Sequence, residues 1–398
     1  LKSPEKFFPE IYFSPEVLEL NIMAVICEYN PFHKGHAYQL KTHRALLRAD
    51  GVVCLMSGSF VQRGAPAVFD KWTRAKAAIM CGADLVLELP VVYSAQSAMR
   101  FATGAVSLLN ELGCVNYLSF GSECGNIQLL QNAEPVVFSD EFARLVCAEM
   151  KKGTSYPAAR LSAAKNYFPA LSCDLLSSPN NILALEYVHA LARLKSAIQP
   201  ITLKRNDSFA SASQIREMME QGRDISEFVP NKAAFHTTPY DKSVFDQLVS
   251  YQFRRETPES LKTITDVSEG LEHRFIKFAK TSFGAEELAT QVKTKRYTRT
   301  RIDRIIVNTL LGITGADAEL PPQYARVLAF NKCGTQILKE MGRTSAIPII
   351  TKTADAVSAK DDFWRMFKKD LLATDIYALM TDKKQAGQDF KTSPIYVK

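Results

Sequence analysis

Short, nearly unbroken apolar runs alternate with helically spaced stretches over the first 120 residues. Ile22 to Cys27 is one such run, the pattern of a parallel strand covered on both faces. Glu28 to His36 follows, and a helical pattern then continues to about residue 48. Gly51 to Met56 repeats the apolar run and ends in Ser57-Gly58-Ser59. The spacing predicts a helix over 71–81, a third strand over Asp84 to Pro90, a helix over 97–112 and a fourth strand from Val115 to Phe120, closed by Gly121-Ser122-Glu123. Strands and helices alternating in this way build right-handed βαβ units, hence an α/β fold with a Rossmann-like open parallel sheet. Helices are expected at 125–152, 158–168 and 180–196, then a strand at 198–203 and a helix for which Ser213 is read as the N-cap.

After Pro230 the periodicity is helical at 240–254, 257–263, 268–280, 283–292, 299–312 and 321–342, with an α/β-like piece over 345–385. The expected organisation is therefore a sheet domain at 23–230 followed by a mostly α-helical domain at 231–398. Residues 1–22 precede the first strand and have neither the basic start nor the apolar stretch of a signal peptide, so they are set aside as an extension.

Composition narrows the class. The 398 residues are 46% hydrophobic and 23% charged, which excludes a disordered chain. No apolar run reaches the roughly 18 residues of a membrane span. The 8 cysteines form no CxxC pair and mostly sit among apolar neighbours, as expected of reduced, buried thiols in a cytoplasmic protein. The net charge of +7 is unevenly placed: residues 231–398 hold 27 Lys/Arg against 20 Asp/Glu, whereas residues 1–230 hold 22 of each. A neutral half beside a basic half suggests a polyanion-binding module joined to something else.

The strongest chemical feature is His33-Lys34-Gly35-His36, directly after the first strand. Ligands of open parallel sheets sit outside the carboxyl ends of the strands, and a helix starting there offers free N–H groups and the positive end of its dipole. Phosphate is the natural guest, with two imidazoles donating hydrogen bonds and the glycine allowing close backbone approach. No GxxxxGK[ST] occurs, so the site is not a P-loop. The other histidines, at 43, 189, 236 and 273, are dispersed, which argues against zinc or another protein-held metal.

The HxGH turn and a later Ser211-x-Ser213-x-x-Arg216 element resemble the nucleotidyltransferase superfamily with the HIGH signature. More narrowly, EYNPFHKGH at 28–36, MSGSFVQRGAPA at 56–67, DLVLELP at 84–90, FGSE at 120–123, SPNNILALEY at 178–187, FASASQIR at 209–216 and KTKRYTRTRIDR at 293–304 resemble, in order, the bacterial tRNA(Met) cytidine acetate ligase family. The resemblance implies a nucleotidyltransferase domain that activates acetate with ATP as acetyl-adenylate, releasing pyrophosphate. The acetyl group then passes to N4 of the wobble cytidine of elongator tRNA(Met). It implies catalytic roles for His33, His36 and Arg216, and Mg²⁺ arriving with ATP through phosphate and water.

By motif position, the implied ATP site covers Ile26, Cys27, Glu28, Tyr29, Asn30, Pro31, Phe32, His33, Lys34, Gly35, His36, Ala37, Tyr38 and Gln39. It also takes in Gly121, Arg205, Asn206, Ser211, Ser213 and one of Asn180 and Asn181, with Asn181 preferred. Gln62-Arg63-Gly64 reads equally as a turn with an exposed arginine or as a segment ordering acetate or the incoming cytidine. Asp84 and Glu88 share one face of a strand and need partners if buried. Lys293, Lys295, Arg296, Tyr297, Arg299, Arg301 and Arg304 are the expected tRNA contacts: the cations meet phosphates, and the tyrosine stacks on an unpaired base. Two other readings remain open at this level, a small-molecule adenylyltransferase and a nonenzymatic RNA-binding protein with the same fold.

Overall fold

A computed structural model of the chain describes residues 20–168, 171, 173–206, 208–230, 238–356 and 361–398. The extension set aside above lies outside the described residues up to position 19. Ten strands are present among them: β1 (Ile22–Cys27), β2 (Gly51–Ser57), β3 (Phe60–Val61), β4 (Ala65–Pro66), β5 (Leu85–Leu89), β6 (Tyr117–Ser122), β7 (Gln199–Lys204), β8 (Ala325–Phe330), β9 (Ile349–Ile350) and β10 (Ile395–Tyr396). The main sheet runs β10-β8-β5-β2-β1-β6-β7, with β9 also paired to β8, and β3 and β4 form a separate hairpin. Strands β5, β2, β1, β6 and β7 are mutually parallel. Chain order reverses across β1, which has β2 on one side and β6 on the other.

Strands β1, β2 and β5 are buried throughout, as their continuous apolar runs require. Their side chains split with the two-residue strand period. Ile22, Ala24 and Ile26 enter one core with Leu85 and Leu87, while Met23, Val25 and Cys27 enter the other with Cys54 and Val86. Of the cysteines with described side chains, Cys27 and Cys54 are buried, four are intermediate and Cys147 is exposed, so the expectation of mostly buried thiols is too broad. No helix among the described residues is long and apolar enough to cross a membrane.

The helical stretch expected over 321–342 is instead a strand followed by a helix. Ala325–Phe330 is β8, antiparallel to β5, and the helix Lys332–Thr344 starts at once behind it. Asn331 joins the two by accepting from the Gly334 amide at 2.9 Å, so no glycine or proline marks the junction in the sequence. The C-terminal residues thus return to the sheet, and the helices Lys242–Arg255, Leu271–Ala279, Gly284–Val292 and Arg299–Leu311 form a layer between β7 and β8 in chain order. The helix expected at 125–152 is also two, Ile127–Val137 and Asp140–Lys151, divided where the Ser139 hydroxyl accepts from the Phe142 amide at 3.1 Å.

The helix Lys71–Met80 carries two fully buried cations that hold the sheet in different ways. Lys71 Nζ meets both Glu88 carboxylate oxygens at 2.8 and 2.9 Å and Asp389 Oδ1 at 2.8 Å. Arg326, the second residue of β8, pairs with Glu88 at 3.2 Å and Asp389 at 2.7 Å. These are the partners that a buried Glu88 requires, and they explain how a strand containing an arginine is tolerated inside. Asp84 is likewise matched, accepting from the Val52 amide at 2.9 Å and pairing with Arg44 at 3.0 Å.

Among the described residues, Arg74 has no carboxylate in its hydrogen bonds. Its guanidinium donates to the carbonyls of Phe69 at 2.9 Å, Glu28 at 2.6 Å, Ser57 at 2.9 Å and Gly58. It therefore ties the chain beyond β1 to the chain beyond β2. Arg74→Met should orphan these carbonyls and cost about 3–5 kcal/mol in urea unfolding. Arg74→Lys should recover only part of the loss, because one ammonium cannot span four acceptors.

Candidate functional site

A cavity of about 660 Å³ opens at the carboxyl ends of β1, β6 and β7. His33 is the N-cap of the helix Lys34–Leu47, its backbone extended at φ −140°. His33 Nδ1 accepts from the Gly35 amide at 3.1 Å, and His36 Nδ1 accepts from the His33 amide at 3.3 Å. The imidazoles stack with their centroids 3.6 Å apart. A Cβ on Gly35 would lie 2.9 Å from the His33 ring, so the stack needs glycine between the two histidines.

These bonds fix the tautomers. An Nδ1 that accepts carries no proton, so each neutral ring holds its proton on Nε2. Burial, with the charge of Arg205, pulls the His33 pKa down to about 4. Burial, then His33 and Arg205, holds His36 well below its ordinary value. At neutral pH the pair is thus two uncharged Nε2–H donors lining the cavity at a helix N-terminus.

Arg216 stands across from them. It donates to the Asn30 carbonyl at 2.7 Å and to Ser213 Oγ at 3.1 Å, so its guanidinium is held by the turn that presents His33. The helix Ala212–Glu220 begins two residues earlier than read from sequence. Its N-cap is Ser211, in a capping box with Gln214, and Ser213 serves Arg216 instead. Gly121, Arg205 and Asn206 line the cavity on the side of β6 and β7. A Cβ on Gly121 would meet only Arg205 Cγ at 3.7 Å and the Leu203 carbonyl at 3.9 Å, so the protein leaves that space to the cavity.

Within the first motif, Pro31, Phe32, Lys34 and Ala37 do not line the cavity, whereas Ile26 to Asn30, Tyr38 and Gln39 do. Phe32 is fully buried in the core, and its ring packs on Tyr29 with centroids 4.6 Å apart. The preference for Asn181 is reversed. Asn181 is 1% exposed, accepting from the Cys124 amide at 3.0 Å and donating to the Asp174 carbonyl at 3.2 Å. Asn180 lines the cavity, its amide nitrogen held 2.7 Å from Glu123. Adjacent asparagines on one helix differ by about 100° in direction, and only the buried contacts reveal which faces inward. Tyr187, Phe209 and Tyr240 also line the cavity and were missed, since an aromatic in an apolar context carries no site signal of its own.

The basic segment divides sharply. Tyr297 is 6% exposed, and its hydroxyl donates to the Glu269 carbonyl at 3.2 Å, which takes it out of reach of a stacked base. Arg304 is buried beside Asp266. Arg299 grips Glu286 at 2.9 and 2.6 Å, Arg301 donates to the Asp266 carbonyl at 2.9 Å, and Arg296 pairs with Glu269 at 3.1 Å. Lys293 and Lys295 are exposed, with no ion pair among the described residues. The hairpin β3–β4 packs beneath this helix: Gly64 has φ +80°, and a Cβ there would sit 2.3 Å from the Arg304 amide nitrogen. Gln62 and Arg63, at the hairpin tip, line the cavity. Among the described residues, no three His, Cys, Asp or Glu side chains gather as a metal set. A divalent ion carried on nucleotide phosphates and water needs none.

The histidine environment has a measurable consequence for the ligand-free protein. The stabilisation from a neutral His33 is complete above the unfolded value of about 6.5 and is lost as pH falls toward about 4. Urea unfolding should therefore show stability falling through that window by up to about 3 kcal/mol from this residue, and His33→Asn should flatten the slope.

The model of the HIGH Nucleotidyl Transferase family matches residues 20–392. A protein of Acetivibrio thermocellus named tRNA(Met) cytidine acetate ligase is 38% identical over 409 residues, covering 93% of this chain and 98% of that relative. One of Thermoanaerobacter with the same name is 39% identical over 400 residues, with 93% and 98% covered. The crystal structure of Thermotoga maritima TmcAL bound with alpha-thio ATP superposes with a TM-score of 0.87 at 32% identity, covering 95% of this chain and 100% of that one. With a HIGH-type histidine pair at the sheet's chain reversal and relatives of this identity along nearly its whole length, the chain belongs to the tRNA(Met) cytidine acetate ligase family.

Proposed function

We propose that this protein uses ATP to acetylate N4 of the wobble cytidine of elongator tRNA(Met), with acetate as the acetyl source. The observation that carries the reading is the stacked pair of neutral imidazoles at a helix N-terminus, facing a cavity that Gly121 leaves open. Acetate is ionised at neutral pH and needs neither a base nor an enzyme nucleophile to attack the α-phosphate. The requirement is alignment, with charge spread on the phosphoryl oxygens. The Nε2–H groups of His33 and His36 donate to those oxygens, and Arg216 and Arg205 hold the departing pyrophosphate. Mg²⁺ would be held by the ATP phosphates and water rather than by protein side chains, and would supply charge neutralisation on those phosphates. Acetyl-adenylate then passes its acetyl group to the cytidine amine.

The RNA approaches from the side of Lys293 and Lys295, the cations of the basic segment that have no ion pair among the described residues. Arg299, Arg301 and Arg304 hold that segment in shape, and Tyr297 anchors it to Glu269.

The deciding measurement is nucleoside mass spectrometry of elongator tRNA(Met) incubated with ATP, Mg²⁺ and labelled acetate. Labelled N4-acetylcytidine should appear at the wobble base and depend on ATP, and His36→Ala should lower its rate 10²–10³-fold, as expected for loss of one transition-state donor. Unmodified tRNA from folded protein would overturn the reading. Replacing Lys293 and Lys295 together by Ala should weaken tRNA binding and lower its salt slope by about one to two. Tyr297→Phe should leave the affinity within about two-fold.

A further inference from the structure

We propose that Glu28 is the proton acceptor for the amine that attacks the activated acetyl group. The proposal rests on the two-step reading above and assigns a residue to its second step.

Glu28 immediately follows β1, the strand across which chain order reverses. The nucleotide half of the cavity lies toward β6 and β7, where Gly121, Arg205 and Asn206 sit. The other half lies toward the β3–β4 hairpin, which packs under the helix carrying the basic segment. The Glu28 carboxylate turns to this second half, since Oε1 accepts from the Gln62 amide at the hairpin tip at 2.8 Å. Its second oxygen, Oε2, has no hydrogen-bond partner among the described residues, and Glu28 lines the cavity. Of the cavity-lining residues, only Glu28 and Glu220 carry carboxylates.

The charged and titratable groups around it come from four elements: Arg63 from the hairpin, Arg216 from the helix Ala212–Glu220, Arg74 from the helix Lys71–Met80 and Tyr187 from the helix Pro179–Leu194. None of the arginines approaches within 4 Å as an ion pair among the described residues, so the free oxygen is not consumed by a salt bridge. Burial raises the Glu28 pKa, and the Gln62 amide and the arginine fields partly oppose the rise. A base held between nucleotide and RNA, with one oxygen fixed and one open, is placed for the acyl-transfer step.

That step balances as follows. The cytidine N4 lone pair forms a bond to the acetyl carbon. The bond from that carbon to the adenylate oxygen breaks, and AMP leaves with its electron pair. The proton displaced from N4 passes to Glu28 Oε2 and then to solvent.

The test separates the two half-reactions in the full-length enzyme. Acetate-dependent exchange of pyrophosphate into ATP reads activation, and single-turnover transfer of labelled acetyl to elongator tRNA(Met) reads the second step. Glu28→Gln keeps the size of the side chain and removes the basicity. Its loss in transfer should exceed its loss in exchange by at least 30-fold, and the acidic limb of the wild-type transfer profile between pH 5 and 9 should vanish. Glu28→Asp should restore part of the transfer rate. Equal losses in both half-reactions would place Glu28 in the nucleotide site and overturn the proposal, as would a surviving acidic limb. Absence of acetate-dependent exchange in the wild type would overturn the two-step reading itself, and that failure is visible without any variant.

Discussion

The site depends on a guanidinium with no carboxylate in its hydrogen bonds among the described residues. Arg74 is fully buried, and its hydrogen bonds run to backbone carbonyls just past β1 and at the end of β2 and to Phe69, just before its own helix. The loops that leave these strands must bend away from the sheet, and bending frees carbonyls that the ladder no longer uses. Water would satisfy them in an open loop; inside the protein a planar fork of donors does so instead. One side chain thereby fixes where Glu28 begins the histidine turn and where Gly58 begins the hairpin. The two walls of the cavity are set relative to each other before any ligand enters.

A second consequence is electrical. Arginines approach the cavity from three directions, in Arg63, Arg205 and Arg216, while the two histidines stay uncharged. The positive field suits a polyphosphate, and the neutral imidazoles add directed donors without adding more charge to a crowded site. Hydrogen bonding through Nδ1 is what makes this division stable, because protonating either ring would break a backbone contact as well as bury a charge.

The parallel part of the sheet and the histidine turn were readable because their signals are local. Continuous apolar runs, a helix start and HxGH occupy successive residues. What was not readable depended on partners distant in sequence. β8 falls within the stretch whose periodicity reads as helix, and the Glu88 and Asp389 carboxylates that let Arg326 lie buried in a strand are distant in sequence. Asn180 and Asn181 exchanged roles because the choice rests on Glu123, Cys124 and Asp174. The basic segment illustrates the opposite error, in which a charge run legible in sequence is spent mainly on internal pairs. Of its acidic partners, Asp303 lies within the segment, while Glu286, Glu269 and Asp266 precede it by 7 to 27 residues.

The return of β8 to the sheet also bears on how the protein is made. While the ribosome has produced only the first 230 residues, β5 is an open strand edge and Glu88 lacks one of its two cations. Such an edge invites pairing with another chain. The open edge of β5 is covered only when synthesis passes residue 330, after the intervening helices have emerged, and β9 and β10 join later still. Those helices are fastened to one sheet at both of their chain ends, so the helical layer and the cavity mature together and a nascent fragment is denied the complete architecture.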